Sequence, residues 1–256
     1  AMDGQNWGFP TYDWAVMQQD QFLWWRRRME RLATYFDALR IDHVLGFFRI
    51  WEVPRSERSG LLGHFHPAQP YTLEEWPMML GVEGLVTLLT HPLIHINDLH
   101  ELLGREQVDN LLASGLLLPT AEPDLYQLSY TSQQDYERAE VIEAVGGVKV
   151  ATALSSLCTE TALIEDPYTG GYHPRIAWER SRLYGHWDET LQRRWMELSH
   201  DYYYRRHDEL FRATGLHRLS SLARHSGILL CAEDLGMIPA TVPAVLDELQ
   251  ILSLEL

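Results

Sequence analysis

Cysteine is nearly missing from this chain of 256 residues: only Cys158 and Cys231 occur, and Cys231 lies inside an apolar run. A disulfide framework is therefore not what organises the fold, and a reducing, cytoplasmic setting fits best. Basic charge is scarce as well. With 21 Lys and Arg against 36 Asp and Glu, the formal net charge is -15. That argues against a polyanionic partner such as nucleic acid, whose binding depends on Lys and Arg neutralising phosphates. No run of about 18 apolar residues suggests a membrane span, and the opening Ala1-Met2-Asp3 lacks the basic and apolar pattern of a secretory signal. Neither a P-loop nor a dinucleotide fingerprint is present. The most suggestive glycine pair, Gly170-Gly171, follows Pro167-Tyr168-Thr169 and reads as a turn.

What the chain does have is 46% hydrophobic and 11% aromatic residues, too apolar for disorder and enough to bury a sizeable core. Two short apolar runs each end in a carboxylate: Ala38-Leu39-Arg40-Ile41-Asp42-His43 and Gly227-Ile228-Leu229-Leu230-Cys231-Ala232-Glu233-Asp234. Parallel strands of a β/α barrel display their catalytic acids in this way, at the C-terminal strand ends. Retaining glycosyl transfer needs one carboxylate to attack the anomeric carbon. A second protonates the leaving oxygen and then deprotonates the acceptor. Asp42 and Glu233 are the candidates, and Arg40, two residues before Asp42 on an extended strand, shares its face and favours its ionised form. Each motif also has a plainer reading, since Arg-x-Asp can be a local ion pair and Ala-Glu-Asp can start a helix. The two together carry more weight than either alone.

The surrounding words carry a family resemblance. Gly4-Gln5-Asn6-Trp7-Gly8-Phe9-Pro10-Thr11-Tyr12, Arg40-Ile41-Asp42-His43-Val44-Leu45-Gly46-Phe47 and Ala232-Glu233-Asp234-Leu235-Gly236-Met237-Ile238-Pro239 together resemble the 4-α-glucanotransferases, the amylomaltase or disproportionating-enzyme family. Phe48-Arg49-Ile50-Trp51-Glu52-Val53-Pro54, Tyr172-His173-Pro174-Arg175-Ile176 and Tyr203-Tyr204-Arg205-Arg206-His207 look like the subgroup that transfers glucosyl units from maltose to a polysaccharide. The resemblance implies an α/β fold, part of a (β/α)8 TIM-type barrel. It implies that Asp42 is the nucleophile and Glu233 the acid/base, that Arg40 and His43 line the donor site, and that Gln5 and Trp7 sit at the cleft, where an aromatic face stacks on a sugar ring. Trp7 also has a core reading, because tryptophan is highly buried on average. The implied partners are maltose, malto-oligosaccharides and a glycogen-like or starch-like glucan, with no cofactor and no metal. The family's third catalytic aspartate, in a His-Asp pair on a later strand, has no counterpart after Glu233, and the loop expected before Gly4 is missing. The chain therefore reads as a piece of a longer protein.

Asp42 and Glu233 are 191 residues apart, whereas neighbouring strands of a barrel of ~250 residues lie only ~30 apart. Residues 1–60 and 206–256 then read as barrel segments carrying the two carboxylates. Residues 61–205 read as a mainly helical insertion over the catalytic face, because loops after barrel strands emerge there. The apolar spacing of Trp14, Met17, Phe22, Trp25, Met29, Leu32 and Phe36 predicts a single helix from Trp14 to Phe36, with Arg26-Arg27-Arg28 facing water. A second helix is expected from Asp208 to His225, and a third opens at Pro239–Thr241 and runs through Leu249. Ile251-Leu252-Ser253-Leu254 reads as the start of the next strand. Inside the insertion, one helical pattern follows Ile96-Asn97-Asp98 through Leu112, and another, capped by Thr131-Ser132, runs through Val145.

His64 with His66, and His91 with His95, have spacings that invite a metal reading. No carboxylate or cysteine completes either set in the sequence, so surface or core histidines are the expectation. Two alternatives to glucanotransfer stay open: an α-glucan hydrolase using the same cleft, and a non-catalytic glucan-binding fragment.

Overall fold

The computed structural model describes residues 7–81, 86–138, 140 and 144–253. The chain divides into two compact units, one made of Gly8–Glu52, Phe65–Gln69 and Asp201–Leu256, the other of Ala1–Trp7, Val53–His64 and Pro70–His200. Helix and strand are mixed in both. Among the described residues the sheets have two or three strands each, and no barrel closes.

The carboxylate-bearing unit is built on the parallel pair Ala38–Ile41 and Leu229–Ala232, in register from Ala38 opposite Leu229 to Ile41 opposite Ala232. A third strand begins beside it, where Leu252 bridges Cys231 in parallel. Apolar side chains from both strands meet the core of this unit, where Met29, Val44, Phe47, Phe48, Phe211, Leu219, Leu222 and Val245 are buried together. The helix Asp208–Ser226 feeds the second strand and ends at Gly227, whose φ of 58° supplies the left-handed C-cap. Val242–Glu248 follows as a short helix with a proline in its first turn, where the missing N–H costs nothing.

The single helix expected from Trp14 to Phe36 is in fact two, Trp14–Gln19 and Leu23–Ala33. Gln21 and Phe22 take positive φ between them. Asp20 accepts a hydrogen bond from Leu23 N at 3.0 Å, so the break is a local capping event that the unbroken apolar spacing conceals. Phe22 and Met29 still reach the core, but Phe36 lies past the second helix and stays exposed.

In the other unit, the pattern through Leu112 splits at Gly104 (φ 80°) into helices Ile96–Leu103 and Arg105–Ala113. His95 caps the first by accepting from Asn97 N at 3.2 Å. Gln133–Arg138 follows Ser132, whose hydroxyl accepts from Asp135 N at 3.2 Å. Beside these helices stand two small sheets that the sequence reading did not place. One is the antiparallel set Leu93–His95, Leu125–Leu128 and Leu117–Pro119, and the other is the pair Leu163–Glu165 and Tyr172–Pro174. Two clusters fill this unit: an aliphatic one around Leu99, Leu111, Leu128 and Leu154, and an aromatic one in which Trp195 packs 5.9 Å from both Trp76 and Trp178.

Candidate active site

The parallel register makes Asp42 and Glu233 the next residues in line after Ile41 and Ala232. Glu233 N donates to Ile41 O at 2.9 Å, and Val44 N donates to Glu233 O at 3.0 Å, so main-chain pairing continues one step past the strands. Asp42 and Glu233 thus stand next to one another at adjacent strand ends. Immediately after Asp42 the chain turns sharply: His43 adopts φ 50° and ψ 56° and opens a 3-10 turn, Val44–Phe47. A left-handed non-glycine residue costs free energy and persists only where its surroundings impose it. Here the turn aims His43 N at Glu233 Oε2, which it reaches at 2.7 Å.

Arg40 Nη2 stands 3.0 Å from Asp42 Oδ1, with side chains 59% and 85% exposed. In so open a setting the pair adds little stability; its use is to point a guanidinium at the carboxylate. The structure thus brings Asp42, Glu233, Arg40 and His43 together. Trp7 is 71% exposed, not a core tryptophan, and groups with the other compact unit. Gln5 lies outside the described residues.

Two buried arginines brace this site without announcing themselves in the sequence. Arg49 donates from Nη2 to Met237 O at 2.6 Å, and its Cζ lies 3.6 Å from the Phe65 ring centroid. It ties the chain after Asp42 to the loop after Glu233. Burial lowers its pKa to about 10, which leaves it protonated at neutral pH. Arg218 donates to Phe47 O at 3.2 Å and covers the Trp14 ring at 4.3 Å, fastening the helix Asp208–Ser226 to the 3-10 turn. The one signal available beforehand was a single arginine inside the aromatic and aliphatic run Phe47-Phe48-Arg49-Ile50-Trp51.

The other unit gathers His64, Asp166 and His173, all buried, with ligand-type atoms within 4.8 Å of one another. Asp166 is the carboxylate that the sequence reading did not find for His64. The rings of His64 and His173 are stacked, 4.4 Å apart and 5° from parallel. Their in-plane lone pairs therefore run side by side rather than converging on one ion, and the group is better described as a hydrogen-bonded core network. His173 Nε2 is 3.2 Å from Asp166 Oδ1, and Asp166 Oδ2 accepts from Thr169 N and Oγ1 at 2.9 and 2.6 Å. Burial works to raise the Asp166 pKa, but Thr169 and the two imidazoles outweigh it and the net shift is downward. His95 stacks on His186 at 4.2 Å, and His186 meets Asp98 at 2.9 Å.

A family model described as 4-alpha-glucanotransferase, glycoside hydrolase family 77, matches residues 1–256. The chain belongs to that family. Among curated relatives, the 4-alpha-glucanotransferase DPE2 of Oryza sativa subsp. japonica is 34% identical over 270 residues, covering 99% of this chain and 27% of the relative. The chloroplastic/amyloplastic 4-alpha-glucanotransferase of Solanum tuberosum is 46% identical over 69 residues, 26% of this chain and 12% of the relative. That of Synechocystis is 42% identical over 65 residues, 25% of this chain and 13% of the relative. The chain thus spans about a quarter or less of the length of these relatives. No solved structure matches it. Among the described residues no helix is long and apolar enough to cross a membrane.

Proposed function

We propose that the protein to which this chain belongs is a retaining 4-α-glucanotransferase, moving glucosyl or maltosyl units from maltose or α-1,4-glucans to a glucan acceptor. The observation that carries this reading is the parallel register that ends in Asp42 and Glu233 on neighbouring strands. The strand pair, with a third strand beginning beside it, is read as an arc of a (β/α)8 barrel.

The Asp42 carboxylate attacks the anomeric carbon while Glu233 gives its proton to the glycosidic oxygen. The C–O bond to the leaving sugar breaks, and a glycosyl ester forms on Asp42. Glu233, now ionised, takes the proton of an acceptor hydroxyl as that oxygen attacks the same carbon, and the ester bond breaks to free Asp42. The His43 N–H on Oε2 gives Glu233 a division of labour between its oxygens. In the protonated acid Oε2 is the carbonyl oxygen that accepts from the main chain, and Oε1 carries the proton toward substrate. After proton transfer the same N–H stays on Oε2 and keeps the carboxylate oriented. Arg40 orients Asp42 through their 3.0 Å ion pair. By the family resemblance, Trp7 and Gln5 are further substrate-binding residues.

Segment 61–205 is read as an insertion that governs acceptor choice, and two free thiols fit a cytoplasmic, reducing location. The test is maltose disproportionation by the longer enzyme, with and without glycogen. Glucose release with matching growth of the acceptor supports transfer, whereas glucose release without acceptor growth would make it a hydrolase. The 256-residue chain alone is expected to show neither, because one member of the cooperating carboxylate set has no counterpart in it.

A further inference from the structure

A cavity of about 270 Å³ opens in the carboxylate-bearing unit, lined by Arg49, the segment Tyr203 to Arg205, His207, Asp208, Phe211 and the segment Met237 to Ala240. None of Asp42, Glu233, Arg40 or His43 lines it. Its size falls just under the ~300–1,000 Å³ of pockets that enclose drug-sized ligands, which suits one or two sugar rings and not a longer oligosaccharide. The lining mixes aromatic faces, two guanidinium donors and one carboxylate acceptor. A carbohydrate presents weakly apolar C–H faces and rings of hydroxyls that both donate and accept, and this set matches both. An anionic ligand fits less well, because Asp208 would face it. Phe211 and His207 are nearly fully buried, while Tyr204 at the rim is 52% exposed, so the cavity has a fixed floor and an accessible aromatic edge.

Resting on the glucanotransferase reading, we propose that this cavity is a binding subsite for a glucosyl unit of a polymeric acceptor, outside the cleft of Asp42 and Glu233. Tyr204 is the stacking platform, and Asp208 and Arg205 hold the hydroxyls. The segment Met237 to Ala240 begins four residues after Glu233 and is pinned by Arg49. A sugar seated there therefore touches the loop that leaves the acid/base strand, and anchors a long chain without contributing to the chemistry on a short one.

The test uses the longer enzyme carrying Tyr204→Ala or, separately, Asp208→Asn, with glycogen as polymeric acceptor and maltotriose as a short one. Both variants should raise the half-saturating glycogen concentration about tenfold while kcat and the KM for maltotriose stay within twofold. Affinity electrophoresis of the same variants, made also with Asp42→Asn so that no turnover occurs, should show weaker retention on glycogen. Unchanged glycogen saturation and retention in folded variants would overturn the subsite and leave the catalytic reading standing. Equal losses on both acceptors would overturn it too, assigning the residues to the catalytic cleft. If the enzyme transfers no glucan at all, the catalytic reading falls, and the electrophoresis still decides whether the cavity binds glucan.

Discussion

Gly215 lies in the middle of the helix Asp208–Ser226, and replacing it with alanine tests how tightly that helix is seated on the turn that follows Asp42. In an open helix the change would stabilise by about 1 kcal/mol, because alanine surrenders less backbone entropy than glycine. Here a Cβ at 215 would meet the Phe48 ring, 2.8 Å from Cζ and closer still to Cε1 and Cδ1. Phe48 is fully buried and closes the 3-10 turn Val44–Phe47, so its ring cannot swing away without displacing that turn. Overpacking of this kind costs about 1–3 kcal/mol. An overlap this severe belongs at the upper end, leaving a net destabilisation of about 1–2 kcal/mol. Urea unfolding followed by tryptophan fluorescence, with buried Trp14 as a reporter in the same core, would show a lower midpoint at unchanged slope. Thermal unfolding should drop by about 2–8 °C, at ~2–4 °C per kcal/mol for a chain near this size. Trimming the ring with Phe48→Leu should offset part of the loss in the double variant, giving a coupling of at least about 0.5 kcal/mol between the two sites. A Gly215→Ala protein as stable as the parent, or additive behaviour in the double variant, would refute this packing.

Burial lowers the His207 pKa from near 6.5 to about 4, and the Tyr202 carbonyl 2.8 Å from Nδ1 can only accept, so the folded state holds the neutral ring with its proton on Nδ1. Between pH 6.5 and 4 the unfolded chain binds the extra proton, so up to about 3 kcal/mol of stability is lost as pH falls through that window. Urea midpoints at pH 7 and 4.5 should show a drop that shrinks in His207→Gln; an identical drop in both proteins would contradict the assignment. Burial also pushes the Cys158 thiol upward, so iodoacetamide at neutral pH should label Cys158 only after unfolding. Rapid labelling of the native protein would contradict that.

The strand ends were legible in the sequence because two short apolar runs both lead into a carboxylate, and because Arg40 and Asp42 fall on one face at a spacing of two. The helix Asp208–Ser226 was legible from Phe211, Leu219 and Leu222, which are all buried. The break at Gln21–Phe22 was not, since the aromatic spacing carries straight across it. The small sheets were hidden for a different reason. Their strands are only three or four residues long, and one ends at Pro119, which reads as a breaker. Contacts between distant parts of the chain lay beyond any local pattern. Arg49 reaches Met237 across 188 residues, and Asp166 meets His64 only in the folded unit. The carboxylate pair was different, because each half carried its own local signature.

The most direct measurement is to trap the intermediate in the longer enzyme. With Glu233→Gln slowing its breakdown, a donor bearing a good leaving group needs no acid assistance to form the ester. Peptide mass analysis after rapid acid quench should find one glycosyl unit on the peptide containing Asp42, and none when Asp42→Asn is added. A glycosyl ester on any other residue, or turnover with inversion at the anomeric carbon, would contradict the assignment of Asp42 as nucleophile and Glu233 as acid/base.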